Sequence, residues 1–500
     1  MSQPSTPLSD QVFGAVIWQF LLQLFMRGAG FLSTMVLARL LVPQDFGVVA
    51  ACYLMISFFN ALYDGGSHVY LIKQKELVDG DADTVWTVRL IVACVVYLLL
   101  QISADFAAGI LDEPEMVNAL RVLGLVVIIQ AFNNIGFILL RRDLQFRPIT
   151  IAEASSRAVG IIVTITCGFL LRNYWALIAG TLVAASSRMV LSYVMCAYRP
   201  RFTFSRIRAQ LSFNAWSSVS SIVGFFGARA DHFLVSGSYG LSIYGIYNLA
   251  SSLAFDVVML LVGGIGSPLM SGFSRLQHKP AELSMAVTKS MLAVATVVTP
   301  TVFGAYLVGD LLVELVLGKQ WAAVAPVLAA MTFFAAFHFL SDSASHALVT
   351  INGISATVIV NASAILTMVL LMSQIIPEVS IVLLAEIRAG FAGVTAVVFA
   401  TLLFYRTRFF PQELAAALLI PFGSGLVAYV SGLVVLDLVE GQFILWRLLA
   451  IGGVSIIVYL GLMISLISSL KDKRAVCLFL YDLVSRQAGK LREKLGLASA

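Results

Sequence analysis

The sequence predicts an all-α protein that crosses a membrane many times. Of its 500 residues, 60% are hydrophobic and only 12% are charged, whereas soluble proteins carry about 25% charged residues. The apolar residues occur in long runs, and a helix needs roughly 20 of them to cross the hydrocarbon core of a bilayer. The sequence lacks the short alternating segments of about ten residues that are typical of transmembrane β-strands. A polytopic helical membrane protein follows from these observations.

Fourteen segments have the length and composition of a membrane span, so we predict about 14 transmembrane helices. The predicted spans are 11–41, 46–66, 84–104, 116–140, 148–171, 174–198, 210–237, 241–267, 281–309, 324–350, 354–376, 379–405, 412–437 and 442–470. The loops between the predicted spans on the side with few basic residues are short, roughly fifteen residues at most when each span has the usual length. We therefore expect no external domain.

An internal repeat organises these spans. The pair Phe46-Gly47 returns as Tyr244-Gly245, which is 198 residues later, and both pairs follow a span that carries an arginine. Six spans per repeat is an even number, so both copies should enter the membrane from the same side, as parallel repeats do. The predicted domains are an N-terminal six-helix lobe at 11–198, a C-terminal six-helix lobe at 210–405, an additional helix pair at 412–470 and a basic amphipathic cytoplasmic tail at 471–500.

The distribution of Lys and Arg predicts the orientation. Twenty of them fall in the even-numbered connections and the C-terminal tail, against two in the odd-numbered connections. Basic residues are retained on the cytoplasmic side, so both termini should be cytoplasmic. The first eleven residues contain no Lys or Arg and the apolar run after them is long, so we expect no cleavable signal peptide. The tail is either an interfacial helix on anionic lipid or a solvated helix.

Five stretches carry a resemblance to a known family. They are LARLLVPQDFG at 37–47, RDLQFRP at 142–148, YWAL at 174–177, YGIYNLA at 244–250 and GSPLMSGFSRLQ at 266–277. In order and spacing they resemble the polysaccharide-transporter family of Wzx-like oligosaccharide flippases, within the multidrug/oligosaccharidyl-lipid/polysaccharide superfamily. The similarity is most evident with members related to colanic acid or succinoglycan export.

This resemblance implies two six-helix lobes around a central cavity that opens alternately to either side of the membrane. It implies a flippase that moves an undecaprenyl-diphosphate-linked oligosaccharide across the bacterial inner membrane, for exopolysaccharide or lipopolysaccharide biosynthesis. The implied partners are the lipid-linked oligosaccharide, the bilayer, and the polysaccharide polymerase and export machinery, with no nucleic acid and no cofactor. Relatives usually have an apolar residue where the eighth span carries Asp256.

Arginines within the apolar runs are the candidate ligands for an anionic cargo. A charge deep in the membrane is costly and marks a functional site by default, and arginine forms bidentate bonds to phosphate. Glu153 and Arg157 are four residues apart and so on one helix face, where they would also form a simple salt bridge. The predicted cavity ligands are Arg27, Arg157, Arg188 and Arg229.

The second half contains candidates for coupling to an ion gradient. His338, Asp342 and His346 are each four residues apart and share a helix face. The outer two are about 12 Å apart along the axis at 1.5 Å per residue, too far to share one metal ion. A proton relay and plain hydrogen bonding both remain open for this row. The candidate coupling residues are Asp256, Lys289, His338 and Asp342, and no metal site is predicted.

Two alternative functions compete with the flippase. A cation-coupled multidrug or metabolite exporter of the same fold would favour acids in the first half, where this chain places mainly arginines. A membrane-embedded glycan polymerase or ligase would be expected to carry catalytic residues on a sizeable outer loop. The sequence contains neither a phosphate-binding loop nor a Cys-x-x-Cys pair. We therefore predict a transporter and not an enzyme.

Overall fold

The computed structural model describes residues 25–63, 71, 78–111, 113–351, 353–376, 378–407, 411–472, 474–479 and 481–482. All regular structure within these ranges is helical, and no strand occurs in them. The helices are α1 (25–40), α2 (Pro43–Tyr63), α3 (Asp81–Leu111), α4 (Glu115–Leu123), α5 (Leu125–Ala131), α6 (Gly136–Arg142), α7 (Phe146–Leu171), α8 (Trp175–Met195), α9 (Ile207–Arg275), α10 (Pro280–Val316), α11 (Val324–Thr350), α12 (Ile354–Ile375), α13 (Ile381–Thr407), α14 (Pro411–Leu438) and α15 (Ile444–Leu470), with a 3-10 turn at Lys319–Trp321.

The all-α membrane fold is confirmed. Eleven helices of the described ranges are long and apolar enough to cross a membrane, or twelve if the bent segment of α4 to α6 counts as one span. One of the eleven, Gly224–Gly263, contains a break at Gly240, where φ is 78°. It covers two of the spans predicted from the sequence. The predicted number of fourteen is therefore approximate.

The predicted span at 116–140 is not one straight helix. The axis bends by 58° between Glu115–Ala131 and Gly136–Arg142. Asn134 explains the bend, because its side-chain oxygen accepts the Gly136 N–H at 2.9 Å while its own N–H donates to Ser192 Oγ at 2.9 Å. Side chains thus satisfy backbone groups that a continuous helix would have paired, which is the condition for irregular backbone inside a membrane.

Contacts divide the chain into two compact units. Unit 1 comprises the described residues up to Leu249 together with Leu371–Glu378, and unit 2 comprises Ala250–Leu370 and the described residues from Val379 onward. The division falls inside α9 and so differs from the repeat boundary at 198–210. The predicted lobes, helix pair and tail stay predictions. Of the tail, Val476 and Cys477 are buried against unit 2, and residues 483–500 lie outside the described ranges.

Small residues bring α7 and α8 into close contact within unit 1. A Cβ added at Gly160 would lie 2.6 Å from Ala184 Cβ and 3.0 Å from the Gly180 carbonyl oxygen. A Cβ at Gly180 would overlap the Thr164 hydroxyl and lie 2.8 Å from the Gly160 carbonyl oxygen. Small residues at such positions let membrane helices approach closely. This contact fixes the two helices that carry Glu153, Arg157 and Arg188.

The repeat pairs meet each other in unit 1. A Cβ at Gly47 would overlap the Leu241 carbonyl, and a Cβ at Gly245 would overlap the Pro43 carbonyl and lie 2.8 Å from the Gly47 nitrogen. The two glycines that are 198 residues apart therefore pack backbone to backbone. Nearby, Asp45 accepts the N–H groups of Val42 at 3.0 Å and Tyr174 at 2.9 Å, so the first of the five family-like stretches contacts the third and the fourth.

Gly245→Ala is expected to lower the unfolding temperature of the purified protein, because its methyl group would overlap the Pro43 carbonyl and crowd Gly47. Overpacking of this kind costs about 1–3 kcal/mol. The matched control is Gly237→Ala on the same helix, where nothing lies within 4 Å of the added Cβ. Unfolding in detergent, followed by circular dichroism, compares the two. Equal stability of the variants would contradict the contact.

Candidate functional site

Unit 1 contains a cavity of about 450 Å³ between α1, α2, α5, α7 and α8. Successive turns of α7 and α8 contribute polar side chains to its wall. Hydroxyl and charged groups therefore lie within the membrane-spanning part of these helices. The polar side chains that line it are Ser33, Thr34, Tyr53, Gln130, Glu153, Ser156, Arg157, Thr164, Thr181 and Arg188. Two of the predicted cavity ligands, Arg157 and Arg188, are among them.

Arg188 and Glu153 form the central ion pair of this cavity. Arg188 Nη2 donates to Glu153 Oε1 at 2.7 Å. Arg141, at the end of α6, approaches the same carboxylate oxygen at 3.7 Å. The Arg188 Nε is buried and has no hydrogen-bond partner among the described residues. One carboxylate is thus shared by two guanidinium groups, and the positive charge exceeds the negative charge.

Arg157 is the second cation of the cavity, and its contacts differ from those of Arg188. Its Nη2 would lie 3.1 Å from a Cβ at Gly30 of α1, so the guanidinium lies close to the α1 backbone. Within the described part of the chain Arg157 forms no ion pair and no hydrogen bond, and Glu153 pairs with Arg188 instead. Of the two interpretations of the Glu153–Arg157 spacing, the simple salt bridge is not the one observed.

Neutral groups complete the polar wall. The Tyr53 hydroxyl donates to Thr181 Oγ1 at 2.9 Å, and Thr181 donates to the Leu177 carbonyl at 2.8 Å. Arg89 donates to the carbonyl of Gln130 at 2.9 Å. The cavity therefore offers one guanidinium without an ion-pair or hydrogen-bond partner among the described residues and one held by a carboxylate. Such an arrangement suits an anion, since arginine binds phosphate oxygens bidentately.

The structure does not bring Arg27 and Arg229 into the described lining of this cavity. Arg27 is half-buried, and α1 contributes Met26 and Gly30 to the lining. Arg229 is exposed on α9, with its Nη1 3.5 Å from His232 Nε2. Their roles as cargo ligands remain predictions from the sequence.

Asp231 is a buried acid whose partner the sequence analysis did not identify. Its side chain is 0% exposed and accepts the Tyr247 hydroxyl at 2.6 Å. The adjacent His232 is also buried, and its Nδ1 lies 3.4 Å from the Tyr244 hydroxyl. Both tyrosines lie beyond the break at Gly240, so these contacts hold the two parts of α9 together. Nothing in the sequence spacing reveals a contact across a break in a helix.

The candidate coupling residues occupy separate places in unit 2. His338 Nε2 lies 3.8 Å from Asp342 Oδ2, which agrees with their shared helix face. Lys289 Nζ lies 5.0 Å from the centre of the Phe479 ring. Asp256 is exposed on α9. No observation assigns a coupling role to these residues, and that role remains a prediction.

Arg388 is a buried charge that the sequence analysis missed. It is 3% exposed, and its guanidinium carbon lies 4.2 Å from the centre of the Phe334 ring. The same ring stacks with His338 at 5.9 Å, so Arg388 belongs to the surroundings of the His338–Asp342 pair. The sequence does indicate this residue, because an arginine within the apolar run at 379–405 is as unusual as the arginines within the apolar runs of the first half.

Comparisons with known proteins identify the family. The family model for polysaccharide biosynthesis proteins matches residues 36–326. The succinoglycan biosynthesis transport protein ExoT of Rhizobium meliloti (strain 1021) is 26% identical over 314 residues, which is 62% of this chain and 63% of that protein. The lipopolysaccharide biosynthesis protein WzxC of Escherichia coli (strain K12) is 25% identical over 332 residues, 64% of this chain and 66% of that protein. The matches thus span slightly less than two thirds of the length of these relatives.

Solved structures agree on the fold. The lipid II flippase MurJ in an inward closed conformation matches with a TM-score of 0.71 and 14% identity, over 91% of this chain and 99% of that one. A multidrug resistance MATE family transporter in an inward-facing conformation matches with a TM-score of 0.52 and 15% identity, over 78% and 94%. The chain belongs to the polysaccharide biosynthesis protein family, with the membrane fold that these transporters share.

Proposed function

We propose that this protein is a flippase that moves an undecaprenyl-diphosphate-linked oligosaccharide across the bacterial inner membrane, for exopolysaccharide or lipopolysaccharide biosynthesis. The observation that carries the proposal is the cavity of unit 1, where Arg157 has no ion-pair partner among the described residues and Arg188 is only partly neutralised by Glu153. A lipid-linked sugar has a diphosphate as its one strongly anionic group. The names of the relatives, which refer to succinoglycan and lipopolysaccharide biosynthesis, support the same substrate class.

The two arginines have different roles in this proposal. Arg157 binds the diphosphate first, because no carboxylate of the described residues has to leave its guanidinium. Arg188 binds a second phosphate oxygen only when that oxygen replaces Glu153, now 2.7 Å away. Cargo binding therefore breaks an ion pair of the empty cavity. A ligand shifts a conformational equilibrium only by binding one state better than another, and this exchange of partners supplies such a difference.

The other residues predicted from the sequence extend this mechanism. Arg27 and Arg229 are proposed as further phosphate ligands, and Asp256, Lys289, His338 and Asp342 as groups that couple transport to an ion gradient. The polysaccharide polymerase and export machinery are the proposed protein partners. The chain acts as a transporter in this proposal and catalyses no covalent step.

The alternative function is a cation-coupled exporter of drugs or metabolites. The fold of a MATE family transporter, at a TM-score of 0.52, is the observation that favours it. The charge of the cavity favours the flippase, because a cationic drug would meet two arginines and one acid in the described lining.

The proposed orientation puts both termini in the cytoplasm, and single cysteines test it. Lys319, whose side chain is 88% exposed, lies in an outer connection, and the exposed Arg406 ends α13 on the inner side. In intact cells, a membrane-impermeant maleimide should label Lys319→Cys and should label Arg406→Cys only after permeabilisation. The opposite pattern would reverse the orientation, and labelling of both from outside would refute the topology.

The double variant Arg157→Ala/Arg188→Ala should lose flipping, because it removes both cavity cations. Proteoliposomes that contain a polyprenyl-diphosphate oligosaccharide provide the assay, with accessibility of the sugar to an impermeant lectin as the readout. Arg172→Gln, which removes an exposed arginine at the end of α7, should flip at the wild-type rate. Wild-type flipping by the double variant would exclude the cavity. Efflux of a cationic dye without lipid flipping would establish the alternative function.

Inorganic diphosphate should bind more tightly to Glu153→Gln and more weakly to Arg157→Ala. The first change frees Arg188 from its carboxylate, and the second removes the guanidinium that has no ion-pair partner in the described part of the chain. Hydrogen bonds to charged groups contribute about 1.5–3 kcal/mol, so each affinity should change about tenfold in its direction. Isothermal titration calorimetry of the purified protein measures this, with the exposed Glu282→Gln as control. Weaker binding by Glu153→Gln would mean that Glu153 does not compete with the anion.

A further inference from the structure

The segment that joins α8 to α9, residues 196–206, is bound to the start of α3. The Tyr198 hydroxyl donates to Asp83 Oδ1 at 2.6 Å, and the Arg201 backbone N–H donates to the same oxygen at 3.1 Å. Burial and this hydrogen bond to Asp83 raise the pKa of Tyr198, so its hydroxyl stays protonated and remains a donor at neutral pH. One carboxylate thus holds two points of the segment.

Two further bonds continue the attachment along α3. The Thr203 N–H donates to Thr87 Oγ1 at 3.1 Å, and the Arg206 N–H donates to Thr84 Oγ1 at 3.4 Å. The segment therefore has a defined path although it is neither helix nor strand. Its backbone N–H groups at 201, 203 and 206 are bound to side chains of α3.

The outward side chains form an arginine–phenylalanine strip, which comprises Arg199, Arg201, Phe202, Phe204 and Arg206. All five are exposed, with Phe202 at 71% and Phe204 at 55%. The sequence from 196 to 208 contains no acidic residue. Two large apolar side chains between three cations form an unusual surface for an aqueous loop, since solvent-exposed phenylalanine is unfavourable.

Two arginines of the strip, Arg201 and Arg206, have guanidinium groups that form no hydrogen bond and no ion pair with the described residues. Arg199 donates to the carbonyls of Cys196 at 2.6 Å and Tyr198 at 3.0 Å. Arg201 and Arg206 contribute only their backbone N–H groups to the attachment. Among the described residues their side chains have no hydrogen bond and no ion pair. Both are therefore available to an external anion.

The strip lies where three membrane helices begin or end. It follows the last turn of α8, precedes the first turn of α9 and contacts the first two turns of α3. The Trp86 ring on α3 lies 5.0 Å from the Phe202 ring, and tryptophan is characteristic of the membrane interface. Helix ends and an interfacial tryptophan place the strip at the level of the lipid headgroups.

We propose that the arginine–phenylalanine strip binds anionic phospholipid headgroups at the membrane interface. Arg201 and Arg206 pair with the phosphate, while Phe202 and Phe204 enter the boundary between headgroups and acyl chains, as the apolar face of an interfacial segment does. Basic residues beside a membrane are attracted to anionic lipid. With the orientation proposed above, this is the cytoplasmic leaflet. Lipid binding at the strip is independent of the cargo that the protein transports.

Binding of dioleoylphosphatidylglycerol and dioleoylphosphatidylcholine to the full-length protein in neutral detergent, titrated by native mass spectrometry, tests the proposal. Wild type should prefer phosphatidylglycerol. Arg201→Gln/Arg206→Gln should weaken that binding roughly 30-fold, since each basic residue near an anionic surface contributes about 1 kcal/mol. The attachment to α3 survives, because the backbone N–H groups make it. Arg201→Lys/Arg206→Lys should retain most of the affinity.

The matched control is Arg172→Gln/Lys319→Gln, which removes two exposed cations from other connections and should bind phosphatidylglycerol as wild type does. Phe202→Ser/Phe204→Ser should weaken binding of both lipids. Unchanged binding by Arg201→Gln/Arg206→Gln would overturn the proposal, as would an equal loss in the control pair. Binding of a polyprenyl diphosphate at the strip without binding of phosphatidylglycerol would assign the strip to the cargo and would also overturn it.

Discussion

The close contact of α7 with α8 is the interaction on which the site depends. Lipid tails are as apolar as leucine side chains, so membrane helices gain little by burying apolar surface against each other. They gain from packing, and packing is tightest where side chains are small. Gly160, Gly180 and Ala184 allow the two backbones to approach until a single added methyl group would collide. At that separation Arg188 Nη2 lies 2.7 Å from Glu153 Oε1.

Electrostatics then sets the character of the cavity. A guanidinium in a medium of low dielectric constant needs a counter-charge, a polar partner or water. The protein gives Arg188 a carboxylate, places Arg388 over an aromatic ring, and leaves Arg157 without an ion-pair partner in the described part of the chain. Arg157 therefore has the largest gain when an anion enters. The same rule applies to the acid Asp231, which is fully buried and accepts the Tyr247 hydroxyl.

Irregular backbone occurs where side chains compensate for it. At the break near Asn134, the Asn134 side chain accepts the Gly136 N–H, and across the break at Gly240 the Tyr247 hydroxyl donates to Asp231. The connection after α8 follows the same principle at the membrane surface, where Asp83, Thr84 and Thr87 accept its backbone N–H groups. Each of these hydrogen bonds satisfies a polar group. Burying such a group unpaired in an apolar medium costs roughly 2–7 kcal/mol of free energy.

The sequence by itself determined the class of the fold, and it predicted the charge of the ligand. Apolar runs of span length predict membrane helices because every backbone polar group must be paired inside the bilayer, and the 198-residue repeat located the two glycines that the structure brings together. The surplus of arginine in the first half predicted an anionic ligand. Composition and spacing suffice for these conclusions because they depend on local properties of the chain.

Only the tertiary structure decided which charges meet. The spacing of Glu153 and Arg157 left a local salt bridge open, and packing of α7 on α8 gave the carboxylate to Arg188. Arg27 and Arg229 are as deep in their apolar runs as Arg188, yet they are not in the described lining of the cavity of unit 1. Partners on different helices are chosen by the rotation and separation of those helices, which a hydropathy pattern does not encode. The strip at 199–206 likewise became a surface only when α3 fixed its backbone and left its side chains exposed.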